Sequence, residues 1–235
     1  MTENARRITL FAGHYGSGKT NIALNYAKAL RRAGERVAIA DLDIVNPYFR
    51  TKDSAADLRA EGIDLVVSDF ANSNVDFPAL PKEIYALVAP AEHSEQSNNR
   101  TILHVVMDIG GDDRGALALG RYAPFILEEN NYEMLLVINQ YRPLTRDLQS
   151  TLEVMREIEA AGGIPFTGIV NNSNLGRDTT AEDVIATDAY AKEMAAATGL
   201  CLRMTTVKDD IAGEVAKVLP NVVPLHLQNK RLWND

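Results

Sequence analysis

Short apolar runs alternate with stretches of helical periodicity along the chain, and this alternation predicts most of the fold. Most of the runs carry no polar residue between their apolar positions, which is typical of parallel strands covered on both faces. The predicted strands are Ile8–Ala12, Val37–Ala40, Leu65–Val67, Ile102–Met107, Met134–Ile138, Phe166–Val170, Leu200–Met204 and Val222–Leu225.

Between these runs, apolar residues recur every three or four positions, as they do on one face of an amphipathic helix. The predicted helices are Lys19–Ala33, Ser54–Glu61, Pro81–Val88, Arg114–Glu128, Leu144–Ala161, Ala181–Ala197 and Asp209–Val218. The alternation predicts an α/β fold with a doubly wound, mostly parallel sheet between two helical layers. Since the chain has 235 residues and no linker or repeat, we expect residues 1–235 to form a single domain.

The segment between the first predicted strand and helix fits G-x-x-x-x-G-K-[ST], the phosphate-binding P-loop. Its residues, all predicted to bind a nucleotide, are Gly13, His14, Tyr15, Gly16, Ser17, Gly18, Lys19 and Thr20. Backbone N–H groups of such a loop, and of the helix that follows, bind phosphate oxygens. We predict that Lys19 reaches the β- and γ-phosphates and takes part in catalysis, and that the Thr20 hydroxyl holds Mg²⁺. An ordinary strand-to-helix turn is the alternative.

Acidic residues end two later predicted strands. Asp41 and Asp43 close the second strand, and side chains two positions apart on an extended chain share a face. One is predicted to contact the Mg²⁺ shell and the other the attacking water. Asp108 ends the fourth strand and precedes two glycines, a Walker B and switch II pattern that predicts a Mg²⁺ ligand at Asp108 and a γ-phosphate contact from the Gly111 N–H. A strand-end turn is the alternative for both segments.

The order of these motifs resembles that of the MinD/ParA/ArsA group of P-loop ATPases, which also includes enzymes of the CobQ and dethiobiotin synthetase type. The resemblance implies a P-loop NTPase fold, bound Mg²⁺ and ATP, ATP hydrolysis and often an ATP-dependent homodimer. It assigns the catalytic, water-activating role to Asp43 and a place near Mg²⁺ to Asp41. The group has a signature lysine where this chain has His14, which is not a fixed positive charge. Arg50 could supply the missing cation, and a solvated loop arginine is the alternative.

Two strand ends bear on the identity of the base. The segment Asn139–Arg142 lacks the last residue of the Asn-Lys-x-Asp element of guanine sites, which favours ATP over GTP. The following strand ends in two asparagines and resembles the strand-end asparagine that contacts adenine in the MinD and dethiobiotin synthetase group. Asn172 is the predicted adenine contact and Asn171 the second choice, with a capped turn as the alternative.

Charge and composition limit the partners. A formal net charge of −8 and a pI near 5.1 argue against broad binding to nucleic acid or anionic membranes. One cysteine excludes an internal disulfide, and neither a signal-peptide core nor an apolar run of about 20 residues is found. We therefore expect a cytoplasmic protein without stable membrane insertion. Tyr48 and Phe49 could contact an unidentified protein partner or belong to the core. The last residues, 225–235, are expected to pack on the body of the protein, and a short amphipathic membrane contact is the alternative.

Three functions are compatible with these motifs. The favoured one is a Mg²⁺-dependent ATPase that hydrolyses ATP to drive a conformational switch. The second is an ATP-dependent small-molecule ligase or kinase, for which the sequence shows no substrate motif. The third is a module that binds ATP with negligible turnover, an alternative that His14 keeps open.

Overall fold

The computed structural model describes residues 5–43, 52–67, 82–89, 102–111 and 113–227. The strands are β1 (Ile8–Ala12), β2 (Arg36–Leu42), β3 (Ile63–Val67), β4 (Leu103–Ile109), β5 (Tyr132–Ile138), β6 (Gly168–Asn171), β7 (Cys201–Lys208) and β8 (Val222–Leu225). Within the described ranges they form one sheet in the order β3-β2-β4-β1-β5-β6-β7-β8. Every neighbouring pair is parallel, which confirms the predicted doubly wound α/β sheet.

Helices follow most of the strands. They are α1 (Lys19–Arg32), α2 (Lys52–Ala60), α3 (Lys82–Val88), α4 (Asp113–Gly120), α5 (Ala123–Glu129), α6 (Leu148–Gly162), α7 (Ala181–Ala186), α8 (Asp188–Thr198) and α9 (Asp209–Val215). Short 3₁₀ turns lie at Pro143–Thr145 and Gly176–Asp178. The predicted helix Leu144–Ala161 therefore begins later, at the point where the Asp147 carboxylate accepts the Ser150 N–H at 2.9 Å and caps α6.

The predicted helix Arg114–Glu128 is two helices, α4 and α5. A Cβ on Gly120, the last residue of α4, would lie only 3.0 Å from the carbonyl oxygen of Ala161, so the chain turns where α4 touches α6. Pro124 stands in the first turn of α5. Proline lacks the N–H that a continuing helix would need, whereas the first turn tolerates it. The missed break therefore follows from a tertiary contact and a proline.

The predicted helix Ala181–Ala197 is also two helices, α7 and α8. Thr187 lies between them, and its hydroxyl donates to the carbonyl oxygen of Val184 at 2.8 Å. The same hydroxyl accepts a hydrogen bond from the Asn171 side chain at the end of β6 at 3.0 Å. The break thus ties the helical layer to the sheet edge, which helical periodicity does not reveal.

Both faces of the sheet are covered by helices. On one face, apolar side chains of α1 pack against inward-facing residues of β1, β2, β4 and β5; they include Phe11, Ile22, Tyr26, Leu30, Ile39, Val106 and Val137. On the other face, α3 to α6 and α8 pack over Leu10, Ala40, Met107, Leu136 and Ile169, and Tyr190 and Met194 are the contribution of α8. This confirms the predicted three layers. A ligand site is therefore expected at an edge of the sheet, since neither face is open.

Candidate nucleotide-binding site

The predicted site residues that the structure describes lie at one edge of the sheet, where the parallel strands end. The P-loop follows β1, the two aspartates of the second strand lie at the end of β2, and Asp108 lies near the end of β4. The asparagines end or follow β5 and β6. These five strands are consecutive neighbours in the sheet, so their ends are adjacent. Open parallel sheets bind ligands at this edge, and the predicted residues therefore form one candidate site.

Two glycines hold the P-loop against the neighbouring strand ends. A Cβ on Gly13, which has a φ of 151°, would lie 2.4 Å from the carbonyl oxygen of Val137 in β5. A Cβ on Gly18, with a φ of 92°, would lie 2.2 Å from Nδ2 of Asn172. Any other residue at these positions would need a left-handed or unusual backbone and would displace the loop.

Lys19 is the first residue of α1 and is buried beneath the loop that precedes it. Its Nζ donates to the carbonyl oxygen of His14 at 3.2 Å, and the N–H of Ser17 donates to the same oxygen at 3.2 Å. Gly18 is the N-cap of α1, and no side chain caps this helix end. An ammonium group and the first amides of a helix thus meet at one loop, which is an arrangement that binds anions.

Asp108 is buried beside the P-loop and accepts a hydrogen bond from Thr20. The distance from Thr20 Oγ1 to Asp108 Oδ2 is 2.6 Å, whereas Asp108 Oδ1 has no hydrogen-bond partner among the described residues. Burial raises the pKa of Asp108 to about 6; Lys19 and the Thr20 hydrogen bond oppose the rise and Asp43 adds to it. A buried carboxylate oxygen without a partner is unfavourable, so this position suits a bound cation.

Asp41 and Asp43 lie on the same side of the P-loop as Asp108. Asp41 is directly opposite Asp108 in the register of β2 and β4, and its Oδ1 accepts the Asp43 N–H at 2.9 Å. All three aspartates are buried. Mg²⁺ in nucleotide sites takes one or two carboxylates together with water and phosphate oxygens. The described ranges contain no group of three or more His, Cys, Asp or Glu residues that could hold a metal ion. The Thr20 hydroxyl and the Asp108 carboxylate fit a Mg²⁺ ion that takes its remaining ligands from water and phosphate oxygens.

The loop after β4 touches the P-loop through Gly111. A Cβ on Gly111 would lie 2.5 Å from Tyr15 N and 2.8 Å from the carbonyl oxygen of Gly13. Only glycine permits so close an approach of two backbones. The backbone of Gly111 is thus beside the nucleotide loop, and its contact with the γ-phosphate stays a prediction.

Asn172 contacts the P-loop from the opposite side. Its Nδ2 donates to the carbonyl oxygen of Ser17 at 2.6 Å, and its Oδ1 accepts the Thr206 hydroxyl of β7 at 2.7 Å. Asn171 points to other partners, since its Nδ2 donates to Thr187. Of the two asparagines, Asn172 is the one at the P-loop. Its contact with adenine stays a prediction.

One neighbour of the P-loop was overlooked in the sequence. Arg142, in the turn after β5, donates from Nε to the carbonyl oxygen of Gly16 at 3.1 Å. In the sequence, Arg142 stands at the position where the guanine-site element has its aspartate, and no contact with the P-loop was predicted for it. The available signal was a basic residue shortly after a strand that ends at the same sheet edge.

On the P-loop itself, His14 Nδ1 lies 2.9 Å from the carbonyl oxygen of Tyr15, a residue that is 56% exposed.

Several predicted residues lie outside the described ranges. They are Arg50, the candidate cation, together with Tyr48 and Phe49, the candidate partner contacts. Residues 228–235 of the C-terminal segment lie outside as well. Their roles stay predictions.

The parallel sheet with a P-loop between its first strand and helix defines the class: this is a P-loop NTPase fold. The fold is similar to that of FtsY from Mycoplasma mycoides, with a TM-score of 0.56 and 19% identity over 89% of this chain and 62% of that one. The cell division protein FtsY from Thermotoga maritima gives 0.54 and 16% over 87% and 62%, and chloroplast FtsY from Physcomitrella patens gives 0.56 and 18% over 90% and 62%. This chain therefore spans less than two thirds of the length of these proteins. At such identities the similarity establishes the fold alone.

The family follows from the sequence itself. Residues 8–198 match the family CbiA, described as the CobQ/CobB/MinD/ParA nucleotide binding domain, and the chain belongs to this family. The match confirms the resemblance drawn from the order of the motifs. No curated protein matches the sequence. None of the helices in the described ranges is long and apolar enough to span a bilayer.

Proposed function

We propose that this protein binds ATP together with Mg²⁺ and hydrolyses it to drive a conformational switch. The observation that carries the proposal is the contact between the Thr20 hydroxyl and the buried Asp108 carboxylate, at 2.6 Å, beside Lys19. A hydroxyl, a carboxylate oxygen without a partner among the described residues and a buried ammonium group at one loop are the groups that a metal–triphosphate complex needs.

The proposed roles are divided between the P-loop, which binds the phosphates, and the strand-end aspartates, which act on Mg²⁺ and on the attacking water. Residues 13–20 bind the phosphates through backbone amides, and Lys19 offsets the charge on the β- and γ-phosphates. Thr20 and Asp108 would hold Mg²⁺, with Asp41 in its water shell. When bound, the ion neutralises charge on the phosphate oxygens. Asp43 orients the attacking water for in-line displacement.

The switch is proposed to lie in the two segments that end β2 and β4. Gly111 already touches the P-loop backbone, and Asp43 is tied to Asp41 by its own N–H. A γ-phosphate would add contacts to both segments, and hydrolysis would remove them.

A homodimer that forms with ATP is part of the same proposal. Molar mass measured by light scattering with and without ATP tests it, and an unchanged mass would exclude it.

Adenine is the proposed base. Each end of the Asn172 amide retains hydrogen-bonding capacity, because an amide offers two N–H groups and two acceptor lone pairs and the described residues use one of each. A base that lies over this side of the P-loop could use the remainder. Competition between labelled ATP and unlabelled GTP tests the choice, and equal potency would remove the adenine assignment.

The central experiment compares ATP binding and phosphate release in the wild type, Lys19→Ala and the control Lys28→Ala. Lys28 lies on the same helix and pairs with Glu61 on the surface, away from the loop. We expect Lys19→Ala to weaken binding at least tenfold, since hydrogen bonds to charged groups contribute about 1.5–3 kcal/mol. Lys28→Ala should bind as the wild type does. ATP uptake that is unaffected by Lys19→Ala would refute the proposal.

Phosphate release then separates the remaining functions. Steady release from ATP and Mg²⁺ alone supports the switch, and loss of release in Asp43→Ala supports the role of Asp43. Release that requires an added metabolite would replace the switch with a ligase or kinase. Tight binding without release in the wild type would leave an ATP-binding module.

A further inference from the structure

Two consecutive carbonyl groups of the P-loop are bound by side chains from outside the loop. Arg142 Nε donates to Gly16 O at 3.1 Å, and Asn172 Nδ2 donates to Ser17 O at 2.6 Å. The asparagine is itself held by Thr206 at 2.7 Å. The backbone between residues 16 and 18 is therefore bonded by Arg142 in the turn after β5 and by Asn172 after β6, and Thr206 of β7 holds Asn172 in turn.

The direction of these bonds matters for anion binding. In a planar trans peptide the C=O and N–H groups point in opposite directions, and the chain contains no cis peptide bond within the described ranges. A donor that holds the Gly16 carbonyl therefore directs the N–H of Ser17 to the other side. The structure shows this: the Ser17 N–H donates to His14 O, the same oxygen that accepts Lys19 Nζ. We call the side of the loop that faces His14 O its inner side, and the Ser17 N–H and Lys19 Nζ both lie on that side.

Arg142 reaches Gly16 from a well-bonded turn. The Arg142 N–H donates to the carbonyl oxygen of Asn139 at 3.0 Å, and the Thr145 N–H donates to the Arg142 carbonyl oxygen at 3.1 Å. The arginine side chain then lies along Gly16: a Cβ built there would be 3.7 Å from Arg142 Nε and 3.9 Å from Cδ and Cζ. The residue is exposed, and its Nε, Cδ and Cζ lie at van der Waals distance from the position that a Cβ on Gly16 would occupy.

We propose that Arg142 is a positioning residue that holds the Gly16–Ser17 peptide with its N–H on the inner side of the loop before a nucleotide arrives. It acts through the Nε donor, and its charge is not required. The inference rests on the proposed nucleotide binding for its functional consequence. We call the hydrogen bond from Arg142 Nε to Gly16 O the brace. A loop that is already ordered avoids part of the entropy cost of binding, so the brace raises nucleotide affinity without touching the ligand.

Three substitutions separate the donor from the charge. In Arg142→Gln, the side-chain N–H₂ is the fourth atom from Cα, as Nε is in arginine, so a donor is kept and the charge is lost. Arg142→Lys keeps the charge and places a methylene at that position. Arg142→Ala removes both. Arg146→Ala is the control, because this nearby exposed arginine pairs only with the adjacent Asp147 among the described residues.

The first measurement is hydrogen exchange of the Ser17 amide in nucleotide-free protein, followed by NMR. We expect exchange to accelerate roughly three- to tenfold in Arg142→Ala and Arg142→Lys, because a hydrogen bond contributes about 1 kcal/mol. Arg142→Gln and Arg146→Ala should exchange as the wild type does. Unchanged exchange in Arg142→Ala, with the thermal midpoint also unchanged, would overturn the proposal.

The second measurement is affinity for ATP and ADP. The brace predicts that both affinities fall together, by a similar three- to tenfold factor, in the Ala and Lys variants and are kept in the Gln variant. Wild-type affinity in Arg142→Lys with a loss in Arg142→Gln would overturn the proposal in favour of a charge that contacts the nucleotide. If the wild type binds neither nucleotide, the proposed function fails, and the exchange comparison by itself decides whether the brace exists.

Discussion

Gly111 gives the sharpest test of the site, because a single added carbon would meet the P-loop backbone. In Gly111→Ala the new Cβ would lie 2.5 Å from Tyr15 N and 2.8 Å from both Gly13 O and His14 C, whereas ordinary contacts begin near 3.4 Å. The two loops must therefore separate by about 0.6–0.9 Å. All three neighbours are backbone atoms, so no side chain can rotate away. Overpacking of this kind costs about 1–3 kcal/mol.

We expect most of this strain to displace the P-loop and to weaken ATP binding roughly five- to 150-fold. Binding is measured by titration with labelled ATP, and global stability by chemical denaturation. Gly213→Ala is the matched control, because Gly213 lies in α9 and a Cβ added to it would meet no neighbouring atom within 4 Å. It should keep full affinity and gain roughly 0.5–1 kcal/mol from helix propensity. If Gly111→Ala leaves both affinity and stability unchanged, the close packing of the two loops is wrong.

Three further predictions concern stability. In metal-free buffer, Asp108→Asn should raise the unfolding free energy by up to about 3 kcal/mol above pH 6 and change it little below pH 4. Burial raises the pKa of Asp108 from its ordinary value of 3.8 to about 6 in the folded protein, so the wild type loses stability as the pH rises through 6. Denaturation at both pH values checks this. Arg7→Met should destabilise by about 3–5 kcal/mol, since Arg7 is buried against Glu129 at 2.6 Å and binds three carbonyl oxygens near the end of α3; a loss below 1 kcal/mol would contradict it. Tyr122→Phe should keep or raise the melting temperature, because the Tyr122 hydroxyl is buried without a hydrogen-bond partner among the described residues; a clear decrease would show that the hydroxyl is bonded.

The architecture was predictable because buried parallel strands leave an unambiguous apolar pattern. The exact ends of the strands were harder to predict. The seventh strand was predicted to end at Met204, whereas β7 continues to Lys208 through Thr205 and Thr206. Both threonines are buried, and the Thr206 hydroxyl is used by Asn172, so polar residues here belong to the sheet rather than to a loop. Hydrophobicity cannot distinguish a polar side chain that is satisfied inside the protein from one that faces water.

The candidate site was predictable where function demands a residue type at a fixed spacing. The P-loop and the strand-end aspartates come together at one edge, as expected. Arg142 was not predicted, because its contact with Gly16 depends on which loops become neighbours when β5 pairs with β1. A single exposed arginine after a strand carries no motif. Contacts made across the sheet order are set by topology, and local sequence patterns do not encode them.

The sheet order divides the site into two halves of different chemistry. On the β4 and β2 side of the P-loop lie the carboxylates of Asp108 and Asp41, and on the β5 and β6 side lie Arg142 and the amide of Asn172. A bound metal–nucleotide complex would therefore place its metal toward the first half and its base toward the second.

If this orientation is right, two substitutions should affect different properties of the protein. Asp41→Asn should raise the Mg²⁺ concentration needed for ATP binding and leave the preference for ATP over GTP unchanged. Thr206→Val, which removes the hydrogen bond to Asn172 Oδ1 at nearly constant side-chain volume, should change that preference and leave the Mg²⁺ requirement intact. Titrations of both nucleotides over a range of Mg²⁺ concentrations measure the two quantities at once. If each substitution shifted both quantities to the same extent, the division of the site along the sheet order would be wrong.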